Sequence, residues 1–306
     1  MSAKVIDLFA GAGGFSTGAK MAGCDVVWAA NHWPTAVRWH AANHPETEHA
    51  CQDLQQADWR DVPAHDIMAA SPACQGHSRA RGKEMPHHDA LRSTAWAVVA
   101  CAEYHRSPTV VVENVPDFAK WVLYPAWRDA MNRLGYAVAE HFIDSADHGV
   151  PQNRDRLFLV ATRSKAPLQL KLPRRPHVPV REVIEWDRYP WNPVHTPRRS
   201  PNTLRRIAAG RATFGDRFAA PFYGSGSGLT GRSLDRPLGT LTTIDRWAIV
   251  DGDRMRMLKI SEAKAVMGFP ADYDLPPTQR EAMHLLGNAV CPPVARDVFS
   301  AILEAA

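Results

Sequence analysis

The sequence predicts an α/β fold: a mostly parallel, Rossmann-like sheet with helices on both faces, joined to a smaller irregular domain. Three observations predict it. The chain opens as strand, glycine-rich turn, helix and strand. Short apolar runs then alternate with helical patterns as far as Thr162, and beyond that point the periodicity gives way to a basic, proline-rich stretch.

From Lys4, the run VIDLF is apolar and bounded by a turn, as expected of a strand covered on both faces. AGAGG turns the chain into the helical FSTGAKMAG, and Asp25 to Ala30 supplies the second strand of a βαβ unit. His65 to Ala70, Thr109 to Glu113 and Leu157 to Ala161 read as further buried strands, with helical patterns near 89–105 and 124–134 between them. Strands separated by helices must cross over, which favours parallel pairing. Residues 164–231 end in the flexible run GSGSG at 224–228 and look like a loop-rich insertion. Regular structure resumes near Pro237, and helical segments at 261–268 and 289–304 are expected to pack back on the first domain. The expected division is therefore 1–163, 164–235 and 236–306.

With 306 residues and 45% apolar side chains, the chain can bury a core without staples. Its five cysteines (Cys24, Cys51, Cys74, Cys101, Cys291) are widely spaced, with no CxxC pair and no zinc ladder, so neither a disulfide framework nor a structural metal is expected. The first strand starts within four residues, leaving no room for a leader, and no apolar run reaches membrane-spanning length. A soluble, cytoplasmic, reduced and monomeric protein is the expectation. The net charge of +4 is uneven: Ser164 to Gly231 hold 12 Lys/Arg against 4 Asp/Glu, leaving 24 against 28 elsewhere. Interleaved with Trp186, Tyr189, Trp191, Phe214, Phe218 and Tyr223, that basic segment suits a phosphate backbone and equally a solvated basic loop.

Four blocks carry chemistry. Asp7-Leu8-Phe9-Ala10-Gly11-Ala12-Gly13-Gly14 places small residues where a strand hands over to a helix, which lets a cofactor approach the backbone. Ser71-Pro72-Ala73-Cys74-Gln75-Gly76-His77-Ser78 sets a cysteine just past a strand's carboxyl end, where α/β enzymes keep reacting groups. Val110 to Asn114 ends an apolar strand in Glu113 and Asn114; a partly desolvated carboxyl there can hold a proton near neutral pH. Gln152-Asn153-Arg154-Asp155-Arg156 puts two arginines at alternate positions, which would face one side of the following strand.

These blocks, in this order and followed by RPLGTLTT at 236–243 and GNAVCPPVA at 287–295, resemble the DNA cytosine-5 methyltransferases over residues 5 to about 300. The resemblance implies S-adenosylmethionine as cofactor and double-stranded DNA as partner. It implies that Phe9 stacks on the cofactor adenine, that Asp7, Gly11 and Gly13 shape its pocket, that Asp53 holds the adenine amino group, and that Asn288 packs from the C-terminal end. Asn31 stands where the family has a glutamate for the ribose, and Ala73 where it has proline before the nucleophile. The basic segment takes the place of the target recognition domain. Cys74 is then the nucleophile, Glu113 the partner of ring N3, and Arg154 and Arg156 the holders of base carbonyl and phosphate. Gln75, Ser78, Asn114 and Gln152 belong to the same blocks as substrate contacts. Other readings are an RNA cytosine-5 methyltransferase of the same fold, a variant using a sulfonium donor with an extra acidic group, a catalytically inert DNA-binding relative, and a dinucleotide oxidoreductase.

Overall fold

A computed structural model describes residues 2–73, 93–222 and 231–305. The chain divides into two compact units, Met1–Asp144 with Asp155–Arg174 and Ala289–Ala306, and Ser145–Arg154 with Arg175–Asn288.

The first unit is built on a seven-stranded sheet. Its strands are β1 (Lys4–Leu8), β2 (Asp25–Asn31), β3 (Glu48–Cys51), β4 (Ile67–Ala70), β5 (Thr109–Asn114), β6 (Ala137–Asp144) and β7 (Asp155–Thr162), in the order β3-β2-β1-β4-β5-β7-β6. Pairing is parallel from β3 through β5, and β7 runs antiparallel to both β5 and β6. Central β1, β4 and β5 are apolar because both their faces are covered: Ile6, Leu8, Met68, Val110 and Val112 are buried with Trp28 and Trp127.

Helices α1 (Gly14–Met21), α2 (Pro34–Asn43), α3 (Ala95–His105), α4 (Tyr124–Arg133) and the terminal α8 (Pro292–Ala305) belong to this unit. Two glycines a helical turn apart let α8 lie directly on α1. A Cβ at Gly18 would meet Arg296 N at 2.7 Å and Pro292 O at 2.8 Å, and one at Gly14 would run into Val290 O. That close approach fixes the return of the chain's C-terminal segment to the first sheet.

The second unit is more regular than its proline content suggests. Strands β8 (Asn192–Pro193), β9 (Arg217–Pro221), β10 (Arg232–Ser233), β11 (Trp247–Asp251) and β12 (Arg254–Met257) form an antiparallel sheet in the order β10-β9-β11-β12-β8. Helix α5 (Pro201–Phe214), capped where the Ser200 hydroxyl accepts from Thr203 N at 3.2 Å, closes one core with Ile207 against Phe218, Ala248 and Val250. Helices α6 (Ile260–Val266) and α7 (Gln279–Asn288) complete the unit. Glu262 anchors α6: its oxygens accept from Arg256 Nη1 (2.7 Å) and Nη2 (2.6 Å), from Lys259 N (2.9 Å) and from Glu185 N (2.8 Å).

These bounds differ from the breaks at 163/164 and 235/236 read from the sequence. Residues 236–288 stay with the second unit because β11 and β12 pair with β9 and β8 there, and 145–154 join it because Pro151 and Asn153 hydrogen-bond Leu238 through their backbones.

Candidate active site

The carboxyl ends of β1, β2 and β3 form one rim of the first sheet, since these strands are adjacent and parallel. At the end of β1 the backbone enters the left-handed region three times, at Phe9 (φ 61°), Gly11 (φ 55°) and Gly13 (φ 76°). Glycine takes that conformation freely; phenylalanine does so at a cost that surrounding structure must offset, a feature concentrated at ligand sites. The half-buried Phe9 packs against the main core.

Asp7 lies behind this turn and is fully buried. Its Oδ2 accepts from Ser16 N at 3.1 Å and Ser16 Oγ at 2.7 Å, capping the first turn of α1. Its Oδ1 is buried without a hydrogen-bond donor among the described residues. Burial pushes this carboxyl up to about 7, against the lowering effect of the two Ser16 bonds. Asn31 ends β2, and its Oδ1 accepts from Trp33 N at 2.9 Å. The amide oxygen expected to serve a ribose is therefore engaged in a local turn, and the adjacent His32 is the exposed side chain at that strand end. Asp53 is exposed beyond β3 and its Oδ1 accepts from Gln55 N at 3.0 Å, while Gln52 N donates to Asn31 O at 3.1 Å and joins the two strand ends.

A second group gathers at β4 and β5. Glu113 Oε1 lies 2.9 Å from Arg156 Nε of β7, with both side chains largely buried (7% and 14% exposed). Asn114 Nδ2 donates to Pro72 O at 3.1 Å, its Oδ1 accepts from Val115 N at 2.9 Å, and Ala73 N donates to Thr94 Oγ1 at 3.1 Å. The two residues before Cys74 are thus tied to the strand of Glu113 and to the start of α3. Cys74, Gln75 and Ser78 lie outside the described residues. Neither Thr94 nor the left-handed backbone of Phe9 was singled out from the sequence. A threonine before a helix is common, and a φ angle has no residue signature except in glycine.

The block 152–156 divides between the units instead of presenting its side chains together. Arg156 joins Glu113, whereas Arg154 is fully buried in the second unit and donates to Leu241 O (3.1 Å) and Gly287 O (2.9 Å). Gln152 donates to Val266 O at 3.2 Å and accepts from Leu241 N at 2.8 Å, both ends of its amide being used within that unit. Alternation does aim 152 and 154 alike, but at backbone groups of their own unit. Asn288 is the last residue of α7, in the second unit. The aromatics of the basic segment are also engaged: Trp186 and Trp191 stack at 5.9 Å, with Arg217 over the first (4.7 Å) and Arg254 over the second (4.9 Å). Arg199 donates to Val194 O at 3.1 Å and Pro193 O at 3.0 Å. No helix among the described residues is long and apolar enough to cross a membrane.

The sheet order and the bare turn at the end of β1 define a methyltransferase fold. Solved structures of S. pombe Dnmt2 methyltransferase (TM-score 0.70, 17% identity, 100% of this chain and 99% of that one) and of a Spodoptera frugiperda DNMT2 mutant (TM-score 0.72, 18% identity, 99% and 100%) share it. The chain belongs to the C-5 cytosine-specific DNA methylase family, whose sequence pattern it matches over residues 3–209 and 235–304. It is similar to the Type II methyltransferases M.NlaX of Neisseria lactamica (27% identity, 96% of this chain and 94% of that protein) and M.HhaI of Haemophilus parahaemolyticus (27%, 94% and 90%). It is accordingly an enzyme of the DNA (cytosine-5-)-methyltransferase type, and S-adenosylmethionine is its methyl donor.

Proposed function

We propose that this enzyme methylates carbon 5 of a cytosine flipped out of duplex DNA, with Cys74 as covalent nucleophile and the second unit as the reader of the DNA. The observation that carries the reading is the buried Glu113–Arg156 pair, on the strand whose next residue, Asn114, holds Pro72 two positions before Cys74. The first turn fits the donor. Gly11 and Gly13 bring backbone without side chains to the turn, and Asp7 Oδ1 is a buried carboxylate oxygen without a donor among the described residues, a counter-charge for a cationic nucleoside. Phe9, Asp7, Gly11, Gly13 and Asp53 would hold S-adenosylmethionine, which supplies an electrophilic methyl on a sulfonium when bound.

Carbon 5 of cytosine is a poor nucleophile. Addition of the Cys74 thiolate to carbon 6 turns the 5,6 double bond into an enamine whose electron pair is directed out at carbon 5. Glu113 hydrogen-bonds or protonates N3 and takes up the charge that addition places on the ring. Arg156, 2.9 Å from Glu113, fixes that carboxyl and supplies positive charge beside it. After methylation the carbon 5 proton leaves to a base, the double bond re-forms, and the carbon–sulfur bond breaks to return Cys74. A thiol must reach the ring from its face, which a stacked base does not allow, so the base leaves the helix first.

Arg154 and Gln152 enter this reading as positioning residues of the second unit and not as contacts to the base, given what their side chains already bond. The Type II names of the relatives support a role in restriction-linked modification. Incubation with 5-fluorocytosine DNA and S-adenosylmethionine tests the mechanism. A denaturant-stable complex carrying one added methyl, absent with Cys74→Ser, is the expected result; methylation that proceeds undiminished in Cys74→Ser refutes the covalent step.

A further inference from the structure

Behind the first turn, four polar side chains form a continuous hydrogen-bonded chain, of which only Asp7 enters the reading above. Ser16 Oγ donates to Asp7 Oδ2 at 2.7 Å, His40 Nε2 lies 3.0 Å from Ser16 Oγ, and His40 Nδ1 lies 2.7 Å from His49 Nε2. Asp7, Ser16 and His40 are buried on β1, α1 and α2, while His49 on β3 is only partly covered. The chain therefore runs from the cofactor turn toward solvent across β1, α1, α2 and β3.

With both imidazoles neutral, one arrangement of protons lets every link form with Asp7 ionised. Ser16 gives its hydroxyl proton to Asp7, so its oxygen must accept from His40 Nε2–H, which leaves His40 Nδ1 to accept from His49 Nε2–H. We propose that His40 and His49 are positioning residues for the methyl donor: they polarise the Ser16 hydroxyl toward Asp7, and so hold Asp7 charged and oriented with Oδ1 free. The same chain reverses when a proton enters. His49 Nδ1 takes it from solvent, His49 Nε2 passes its own to His40 Nδ1, His40 Nε2–H goes to Ser16, and the Ser16 proton moves to Asp7. One proton is taken up and one carboxylate is neutralised.

The surrounding charges agree with protons not resting on the imidazoles. Burial, then His44, His49 and Lys20, hold His40 well below the ordinary histidine range. His44, 4.6 Å from the His40 ring, is lowered to about 4 by burial and Lys20, against Glu46; His49 is lowered by burial, with the Thr47 carbonyl and Glu46 opposing. On α8, packed against α1, Arg296 Nε and Asp297 Oδ1 pair with each other at 2.9 Å. Added protons thus end on Asp7.

The inference rests on the assignment of this turn to S-adenosylmethionine, and the test separates the two. S-adenosylmethionine binding is measured calorimetrically from pH 5.5 to 9 for the wild type and for Asp7→Asn, Ser16→Ala, His40→Phe, His40→Gln and His49→Gln, with circular dichroism confirming folding. Wild-type Kd should be flat at high pH and weaken by up to about ten-fold per unit below the midpoint, because a cation loses its counter-charge. Ser16→Ala and His40→Phe should raise that midpoint by roughly half a unit or more, since each removes polarisation of the donor to Asp7. His40→Gln, which retains a donor, should stay near wild type, and Asp7→Asn should bind weakly with no slope. A midpoint unmoved in both Ser16→Ala and His40→Phe, or a wild-type Kd independent of pH, overturns the relay while leaving the cofactor site in place. No binding at any pH overturns both.

Discussion

Arg154 is the residue on which sequence and structure point to different roles, and its replacement separates them. As a holder of the base carbonyl it would be dispensable for folding and decisive for rate. In the structure its guanidinium is buried and donates to Leu241 O and Gly287 O at 3.1 and 2.9 Å, joining the 238–242 segment to the end of α7. Arg154→Met removes two charge-assisted hydrogen bonds, each worth about 1.5–3 kcal/mol, and leaves two buried carbonyls short of a donor. Methionine packing returns part of this, so a net loss of about 3–4 kcal/mol is expected, or a Tm lower by roughly 6–12 °C. Lysine reaches one carbonyl at a time, so Arg154→Lys should lose about half as much. Calorimetric unfolding and single-turnover methylation of a short duplex, done on the same preparations, provide the check. A variant that melts with the wild type and has lost methyl transfer refutes the clamp and restores the catalytic reading.

Glu113→Gln keeps the shape of the Arg156 pair but not its charge, and should lower single-turnover methylation by about 10²–10⁴-fold with folding retained. Arg156→Ala should fall in the same assay by a smaller factor, because it acts through the carboxyl. Gly18→Leu drives a side chain into the backbone of α8 at Pro292 and Arg296; a loss of at least about 2–3 kcal/mol in urea unfolding is expected, and a near-neutral result would mean that the helices can part freely. Stability against pH supplies the last of these. Asp7, raised by burial to about 7, binds protons more tightly folded than unfolded, so its contribution falls as pH rises from about 4 to 7. His44, lowered by burial to about 4, contributes in the opposite sense, with stability lost as pH falls through 6.5 toward 4. The two slopes, each at most about 1.4 kcal/mol per pH unit, largely cancel, so Asp7→Asn should leave a stability that rises with pH between 4 and 6.5. Urea midpoints at pH 4.5, 5.5 and 6.5 decide it; a falling or flat profile in the variant refutes the assignment.

What the sequence revealed of the fold follows burial. β1, β2, β4, β5 and β7 lie inside the first sheet and read as apolar runs because both faces are covered. The strands it did not reveal are β3 and β6, which are the two edges. Glu48–Cys51 carries a glutamate and a histidine in four residues, and Ala137–Asp144 interrupts its apolar residues with Glu140 and His141 and exposes Phe142. An edge strand needs only a ladder on one side and part of one face, so its composition resembles a loop's. In the second sheet, β8 and β10 are two residues long, too short for any period to appear.

The site shows the same division at the level of single side chains. Residue types fixed by chemistry, a carboxyl at the end of β5 and an arginine on β7, were legible because few structural duties require them there, and the structure pairs them. Arg154 and Gln152 were equally legible as polar residues, yet a polar side chain needing a buried partner satisfies a ligand or its own backbone equally well, and sequence does not choose between the two. The choice depends on whether a carbonyl waits within 3 Å, as Leu241 and Gly287 do for Arg154. The Asp7–Ser16–His40–His49 chain marks the opposite limit. Its members lie 9, 24 and 9 residues apart and each alone resembles ordinary core or surface. Only the packing of α1 and α2 beside β1 and β3 makes them one circuit, so a test of that circuit is also a test of how much of this enzyme's chemistry lies behind the residues that touch its donor.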